Sequence, residues 1–398
     1  MSKLRREILW AGKGTKLRNV RNLCKLWSYN IEVEMKRQKY IAAAVLIPFL
    51  FSGCKEKGVD GGYSLPCYKE EKTAQFELMT DELFGLNLIR DLYVYKSYII
   101  VVSASLKDWK LVHIYDKESG DPVLDIIDRG RGPKEYNLGR ICDFDDNTGV
   151  MKIYEPEEGK VIRFQADSLL AYGLDAVSSY SLQLPTSSPV FVSEIADGKT
   201  LVVSTTGSTE SDERIGIWDE MWNQVSVYDN YPELDLGDDE KFFVFHDISF
   251  AMSPGKDRFV TGTSWGGILE VFSIGDGIRK TYSGYYVEPT LDLSPEGFIS
   301  PWPNENTILG FNDIFATSSR LYTVFDGKTA SLQLLEKSPS ERELIYTGVS
   351  IFDWDGHALK RINTDYRIER LYADEDEGML YALVQDRLGR SYLGRINL

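Results

Sequence analysis

Histidine is nearly missing from this chain: His113, His246 and His357 are the only three in 398 residues, and none stands at metal-ligand spacing from another. A zinc hydrolase is thereby disfavoured. Cysteine is almost as scarce, at four, which excludes a disulfide-dense miniprotein. Basic charge is in deficit, with 45 Lys and Arg against 61 Asp and Glu and a net of −16. Neutralising phosphate needs a cationic face, so no nucleic-acid partner is expected. Apolar runs are short. Tyr40 to Phe51 is twelve residues broken only by Pro48, about 18 Å as a helix against a hydrocarbon core of about 30 Å. Beyond Ala74 no long stretch keeps a 3.6-residue period. What is present is 43% hydrophobic and 12% aromatic side chains, ample for a large core and too many for a disordered polymer.

The charge is unevenly placed. Residues 1–54 carry 11 Lys/Arg and 3 Asp/Glu, which leaves 34 against 58, a net of −24, on residues 55–398. Met35-Lys-Arg-Gln-Lys39 is a basic run, the short apolar run follows, and Ser52-Gly53 supplies small residues at a cleavage site. That order makes an export signal. The cysteine directly after Phe51-Ser52-Gly53 resembles the lipobox of bacterial lipoproteins, with Phe51 where Leu is usual and Leu50 beside it. The resemblance implies that Cys54 is diacylated, becomes the mature N-terminus and attaches the chain to a membrane through lipid. The expected location is the cell envelope, at the outer membrane and facing the periplasm or the cell surface. Residues 1–34 are basic without apolar periodicity and read as a mis-called extension, with Met35 as the initiator. Residues 35–53 are then the lipoprotein signal peptide, 54–72 a tether and 73–398 the folded part. Export leaves Cys67 and Cys142 in an oxidising compartment, where an even pair permits one disulfide. Cys142 in a strand-like run and Cys67 in a tether weigh against it.

The folded part is built from short runs rich in Val, Ile, Tyr, Phe and Trp, punctuated by Gly, Asp, Asn and Ser, the pattern of strands and turns. An acid followed by an apolar residue recurs at Asp91-Leu92, Asp143-Phe144, Glu194-Ile195, Asp247-Ile248 and Asp313-Ile314. Arg370-Leu371 takes the sixth place, with its acid one residue earlier at Glu369. Each of the first two units divides into four strand candidates, Ile89–Tyr95 opening one and Arg140–Asp145 the other. Turn chemistry sits between strands at Asp146-Asn-Thr-Gly149, Asp197-Gly198, Ser253-Pro-Gly255 and Glu375-Asp-Glu-Gly378. The last unit stops one strand short, and Thr73–Met79 can supply it. The expectation is an all-β, six-bladed β-propeller of four-stranded antiparallel blades, its ring closed by an N-terminal strand in the last blade.

Asp128-Arg-Gly-Arg-Gly-Pro-Lys-Glu-Tyr136, a strand opening on Asp143 and then Ile153-Tyr-Glu-Pro156 resemble the TolB-like six-bladed propeller family of Gram-negative lipoproteins. Lys134 replaces a Gly usual in that family. The likeness is strongest over residues 74–170. It implies the six-bladed fold and an envelope location, and it implies no reaction and no binding residues.

Candidate sites follow from chemistry. Arg129, Arg131 and Lys134 gather three cations on a Gly-rich loop of an acidic domain, chemically fit for a carboxylate or sulfate, with a blade connector the favoured reading. Gly262-Thr-Ser-Trp-Gly266 matches a nucleophile elbow, but Ile268-Leu-Glu-Val-Phe272 after it is a strand, so a hairpin turn is expected. Asp143–Gly149 and Asp374–Gly378 are Asp/Gly hairpin turns, with room for at most a weak calcium site and no other cofactor. The residues preceding the repeat acid, Arg90, Cys142, Ser193, His246 and Asn312, with Glu369 in the last unit, form a polar ring at the channel mouth. Trp265 and Trp302 add aromatic surface for a sugar or peptide. The expected activity is binding or scaffolding of an envelope protein, peptide or glycan. The alternative is a propeller hydrolase, lactonase or lyase with a channel-mouth active site, assisted by calcium.

Overall fold

The computed structural model describes residues 65–83, 89–103, 109–132, 134–137, 140–155, 158–182, 184, 189–204, 214–237, 240–241, 244–245, 247–289, 291–293, 299–303, 306–330 and 343–398. All of them belong to the compact unit Gly61–Leu398. The signal-like run and Cys54 lie outside the described residues.

Blade 1 is a meander of Ile89–Tyr95, Tyr98–Ser103, Lys110–Asp116 and Pro122–Asp128. Its second strand, Tyr98-Ile-Ile-Val-Val-Ser103, is buried along nearly its whole length, because a middle strand is covered by the neighbouring blades on both faces. The outermost strand starts exposed and ends buried. Blades 2 to 5 repeat the plan from Arg140–Asp145 to Ser178–Ser181, Pro189–Glu194 to Gln224–Tyr228, Ile248–Met252 to Ile278–Gly284, and Asp313–Ala316 to Ala358–Asn363. Blade 6 holds Arg367–Asp374, Met379–Gln385 and Ser391–Asn397.

Two strands from the amino-terminal side complete the ring. Strand β1, Glu70–Thr73, adds a fifth, parallel strand to the outer edge of blade 5. Strand β2, Glu77–Leu78, pairs antiparallel with Ser391–Asn397 and becomes the fourth strand of blade 6. Closure by a segment within Thr73–Met79 is therefore as the sequence predicts. Phe76 is buried there beside Ile396 and Leu380, and Glu77 meets Arg395 with both carboxylate oxygens, at 3.0 and 3.1 Å.

The core is divided among the seams between blades. Ile100, Val102, Met151, Ile153 and Phe164 join blades 1 and 2. Leu201, Ile217, Phe259 and Phe272 join blades 3 and 4. Turn glycines meet hairpin geometry where expected: Gly149 has φ +66°, and a Cβ there would stand 2.4 Å from the Tyr95 ring.

Two elements escape the strand pattern. A seven-residue helix, Ala166–Tyr172, stands between the last two strands of blade 2, with Gln165 Oε1 accepting from Ser168 N at 2.7 Å. A hairpin, Leu291–Leu293 with Ile299–Pro303, stands between blades 4 and 5 and accounts for the longest repeat spacing. The residues read as the end of a tether are ordered onto blade 5. Tyr68 lies between the Phe352 ring and the Arg361 guanidinium, with its hydroxyl 2.6 Å from Ser350 Oγ. Cys67 is disulfide-bonded, and its partner is outside the described side chains.

Candidate functional site

A cavity of about 390 Å³ opens at one end of the central channel. Inner strands supply its rim. Blade 1 places Arg90 there by a β-bulge: Ile89 pairs with Ser103 and Asp91 with Val102, so Arg90 has no partner across the ladder. Glu369 is bulged in the same way in blade 6, between Ile368↔Val384 and Arg370↔Leu383. A bulge breaks the alternation of faces and re-aims its side chain.

Much of the rim's polarity ties one blade to the next. Asn312 Nδ2 donates to the carbonyls of Ile368 at 3.0 Å and Glu369 at 3.3 Å. Asp313 Oδ2 accepts the Leu371 N–H at 2.9 Å. Arg370 donates from Nε to the Arg90 carbonyl at 2.6 Å, and its guanidinium also reaches the Glu369 carbonyl. Arg367 Nε lies 2.6 Å from Glu369 Oε1. Aromatic side chains also line the cavity, where Phe191 stacks on Phe250 at 4.8 Å. The phenols of Tyr93 and Tyr346, also in the lining, are held protonated because burial raises both.

The structure sorts the residues predicted from sequence. Arg90, Asn312, Glu369 and Trp265 meet in the cavity. Arg129, Arg131 and Lys134 do not line it; they lie between blades 1 and 2, where Arg129 bridges to Tyr136 and Lys134 Nζ contacts Asp175 Oδ1 at 2.9 Å. Arg129 and Arg131 each have a partner. Ser193 is buried outside the cavity lining. The side chains of Cys142 and Trp302, and the whole of His246, lie outside the described residues.

The Gly262–Gly266 motif is a hairpin turn as expected, with Gly262 paired to Ser249 and Leu269 in antiparallel ladders. It places Ser264 and Trp265 on the rim. Asp145 accepts the Asn147 and Thr148 N–H groups and the Thr148 hydroxyl, and Asp374 accepts from Glu377 N. Both acidic loops therefore use their carboxylates to close their own turns. Asp353, Asp355 and His357 bring metal-capable atoms within 4.8 Å of one another in a turn of blade 5. Asp353 there already accepts from two turn N–H groups and meets His357 Nδ1 at 2.9 Å.

Sequence reasoning missed Asp247, Arg367, Arg370 and Gln385, which also line the cavity. The repeat acids themselves were the available signal. They do not share one level, however. Asp91 lies four residues before the pair that closes its hairpin, whereas Asp143 lies two before and Glu194 stands next to the turn. Asp143 and Glu194 consequently leave the rim. Lys152 lies 3.4 Å from Asp143 and also contacts Glu194, and Lys256 of blade 4 reaches Asp143 at 2.6 Å. Burial pulls the Lys152 ammonium down, and the two carboxylates outweigh it, so its pKa is raised.

A family model described as TolB-like 6-blade propeller-like matches residues 213–376. Over that stretch the propeller is similar to the TolB-like family. The matched stretch runs from blade 3 into the first strand of blade 6, whereas the sequence reading had placed the strongest likeness at 74–170. Repeated blades carry one pattern, so a run of several blades suffices for the family to register. No curated protein matches. Among solved structures, a protein described as exported from Bacteroides fragilis is similar at 12% identity and TM-score 0.49, covering 83% of this chain and 99% of its own. A DUF4221-family member from Bacteroides vulgatus is similar at 12% identity and TM-score 0.44, covering 82% and 100%. A gluconolactonase from Xanthomonas campestris is similar at 11% and 0.42, covering 81% and 88%. At these identities and scores none of them carries an inference to a ligand or a reaction.

Proposed function

We propose that the chain is a lipid-anchored binding module of the cell envelope that takes its ligand at the mouth of the TolB-like propeller's channel. One observation carries this reading: charged, amide and indole side chains from blades 1, 4, 5 and 6 converge on one polar cavity. The rim is pinned by hydrogen bonds to the backbone of adjacent blades, so a ligand meets a pre-formed surface and little ordering entropy opposes binding. Hydrolysis by Ser264 is the weaker reading, since its turn joins antiparallel strands and makes no strand-to-helix elbow. Envelope location rests on the export signal and Cys54 in the sequence. Among the described residues no helix is long and apolar enough to cross a membrane, and anchoring through acyl chains needs none.

The test uses the full chain in its native envelope. Copurifying proteins, peptides and glycans are compared between the wild type and Ser264→Trp, which fills the mouth, after both are shown to unfold at the same temperature. A ligand recovered with the wild type and lost with the variant is expected; equal recovery overturns the channel mouth. Cys54→Ala is expected to move the chain from the membrane to the soluble fraction, and retention in the membrane overturns the anchor.

A further inference from the structure

The charged groups on the rim divide into those already engaged and those that are not. Glu369 faces Arg367, and Arg370 is held by two carbonyls with Asp313 3.9 Å away. Asp313 accepts a backbone N–H, and Asp91 also has a partner. Two charged groups are left. Among the described residues, the Arg90 guanidinium and the Asp247 carboxylate make no hydrogen bond or ion pair, although both line the cavity. They belong to blades 1 and 4, which face each other across a ring of six. Each is fixed at its base: the Arg90 carbonyl accepts from Arg370, and the Asp247 carbonyl accepts the Ser264 N–H at 2.9 Å. Trp265 follows Ser264 directly, so an indole stands on the Asp247 side of the mouth.

A single unpaired cation opposite a single unpaired anion selects against ligands of one sign. A simple anion on Arg90 enters a cavity that also holds Asp91, Asp247, Asp313 and Glu369. A simple cation on Asp247 meets Arg90, Arg367 and Arg370. A ligand with opposite charges at its two ends complements both groups at once and sets no like charges against each other. Resting on the channel-mouth reading above, we infer that the ligand is a short peptide with both termini free. Its carboxylate takes the planar Arg90 fork, its ammonium takes Asp247, and an apolar side chain lies against Trp265. A cavity of about 390 Å³ accommodates two or three residues.

The experiment is calorimetric titration of the full chain with the twenty Ala-Xaa dipeptides, then with N-acetylated and C-amidated forms of any that bind. Each capped form is expected to bind about tenfold to hundredfold more weakly than the free dipeptide. Arg90→Gln should weaken the free dipeptide by a similar factor and leave the amide unchanged. Asp247→Asn should weaken the free dipeptide and leave the acetylated form unchanged. Absence of binding by all twenty, or capped forms that bind as well as free ones, overturns the inference. The channel mouth fails separately: if Ser264→Trp abolishes recovery of a native ligand while no dipeptide binds, the site stands and its zwitterionic ligand falls. If Ser264→Trp leaves recovery unchanged, the site itself falls.

Discussion

At the scale of single residues, charge divides into pairs that hold the ring and groups that resist it. Arg214 of blade 3 and Glu270 of blade 4 form a buried ion pair, 4% and 1% exposed. The Tyr231 and Phe245 rings flank Arg214 at 5.1 and 4.6 Å, and Lys280 reaches Glu270 at 3.3 Å. Glu270→Ala strands a guanidinium between aromatic rings and is expected to cost about 3–5 kcal/mol by urea unfolding, with Arg214→Met plus Glu270→Leu costing much less. Asp146 works against the fold. Its side chain is exposed, yet desolvation by the surrounding turns first, then the Asp145 and Asp374 carboxylates, pushes its pKa up to about 6 from 3.8. A raised carboxyl means the native state binds its proton more tightly, so this penalty is absent below about pH 4 and complete above about pH 6. Asp146→Asn should therefore raise the melting temperature at pH 7.5 and leave it unchanged at pH 4. Residue types at the mouth were legible in the sequence because Arg90 and Asn312 precede a repeating acid and Glu369 holds the matching place in the last unit. Their partners were not, since nothing in a linear repeat says that Arg370 reaches the Arg90 carbonyl 280 positions away.

At the scale of elements, the hairpins were legible and their registers were not. Ile89–Tyr95, Lys110–Asp116 and Val150–Glu155 fall where β-branched runs and Asp/Gly turns place them. The bulges at Arg90 and Glu369 leave no mark on composition, because one extra residue in a strand keeps its apolar count and changes only which face follows. The Ala166–Tyr172 helix is too short, at under two turns, to display a period. Strand β1 was hidden for another reason. Glu70-Glu-Lys-Thr73 is polar throughout, and what holds it is backbone pairing and the neighbouring Tyr68. Burial also keeps the Tyr68 phenol protonated, pushing its pKa above the ordinary value. Tyr68→Ala is expected to cost about 1–3 kcal/mol. Amide exchange should accelerate across Glu70–Thr73 while the inner strand of blade 5, Asp313–Ala316, keeps its protection. Equal acceleration in both strands would mean that β1 is integral to the blade.

At the scale of the whole molecule, ring closure decides whether six blades behave as one body. Each seam has its own apolar cluster, and five of the six join blades that follow one another directly in the chain. The seam entering blade 6's outer edge differs, because its fourth strand comes from the other end of the polypeptide and is only two residues long. That strand is reinforced by the Met79 N–H to the Leu393 carbonyl at 2.8 Å, by Thr80 Oγ1 accepting from Leu393 N at 3.0 Å, and by Phe76, whose ring meets Tyr366 edge-on at 6.5 Å. Phe76→Ala removes the largest apolar group of the closure and is expected to cost about 3–5 kcal/mol. Where the protection is lost distinguishes two kinds of ring. If closure is local, exchange quickens in Ser391–Asn397 and spares Tyr98–Ser103, since blade 1 retains its seam with blade 2. If the ring is one cooperative unit, both strands lose protection together and urea unfolding stays a single transition with an unchanged slope. The mouth favours the second outcome. Arg370 of blade 6 is bonded to the Arg90 carbonyl of blade 1, and Asp313 of blade 5 to the Leu371 N–H of blade 6. An opening at β2 thus pulls on the same inner strands that hold Arg90 and Asp247 apart, and a closed ring is what keeps those two groups at a fixed separation.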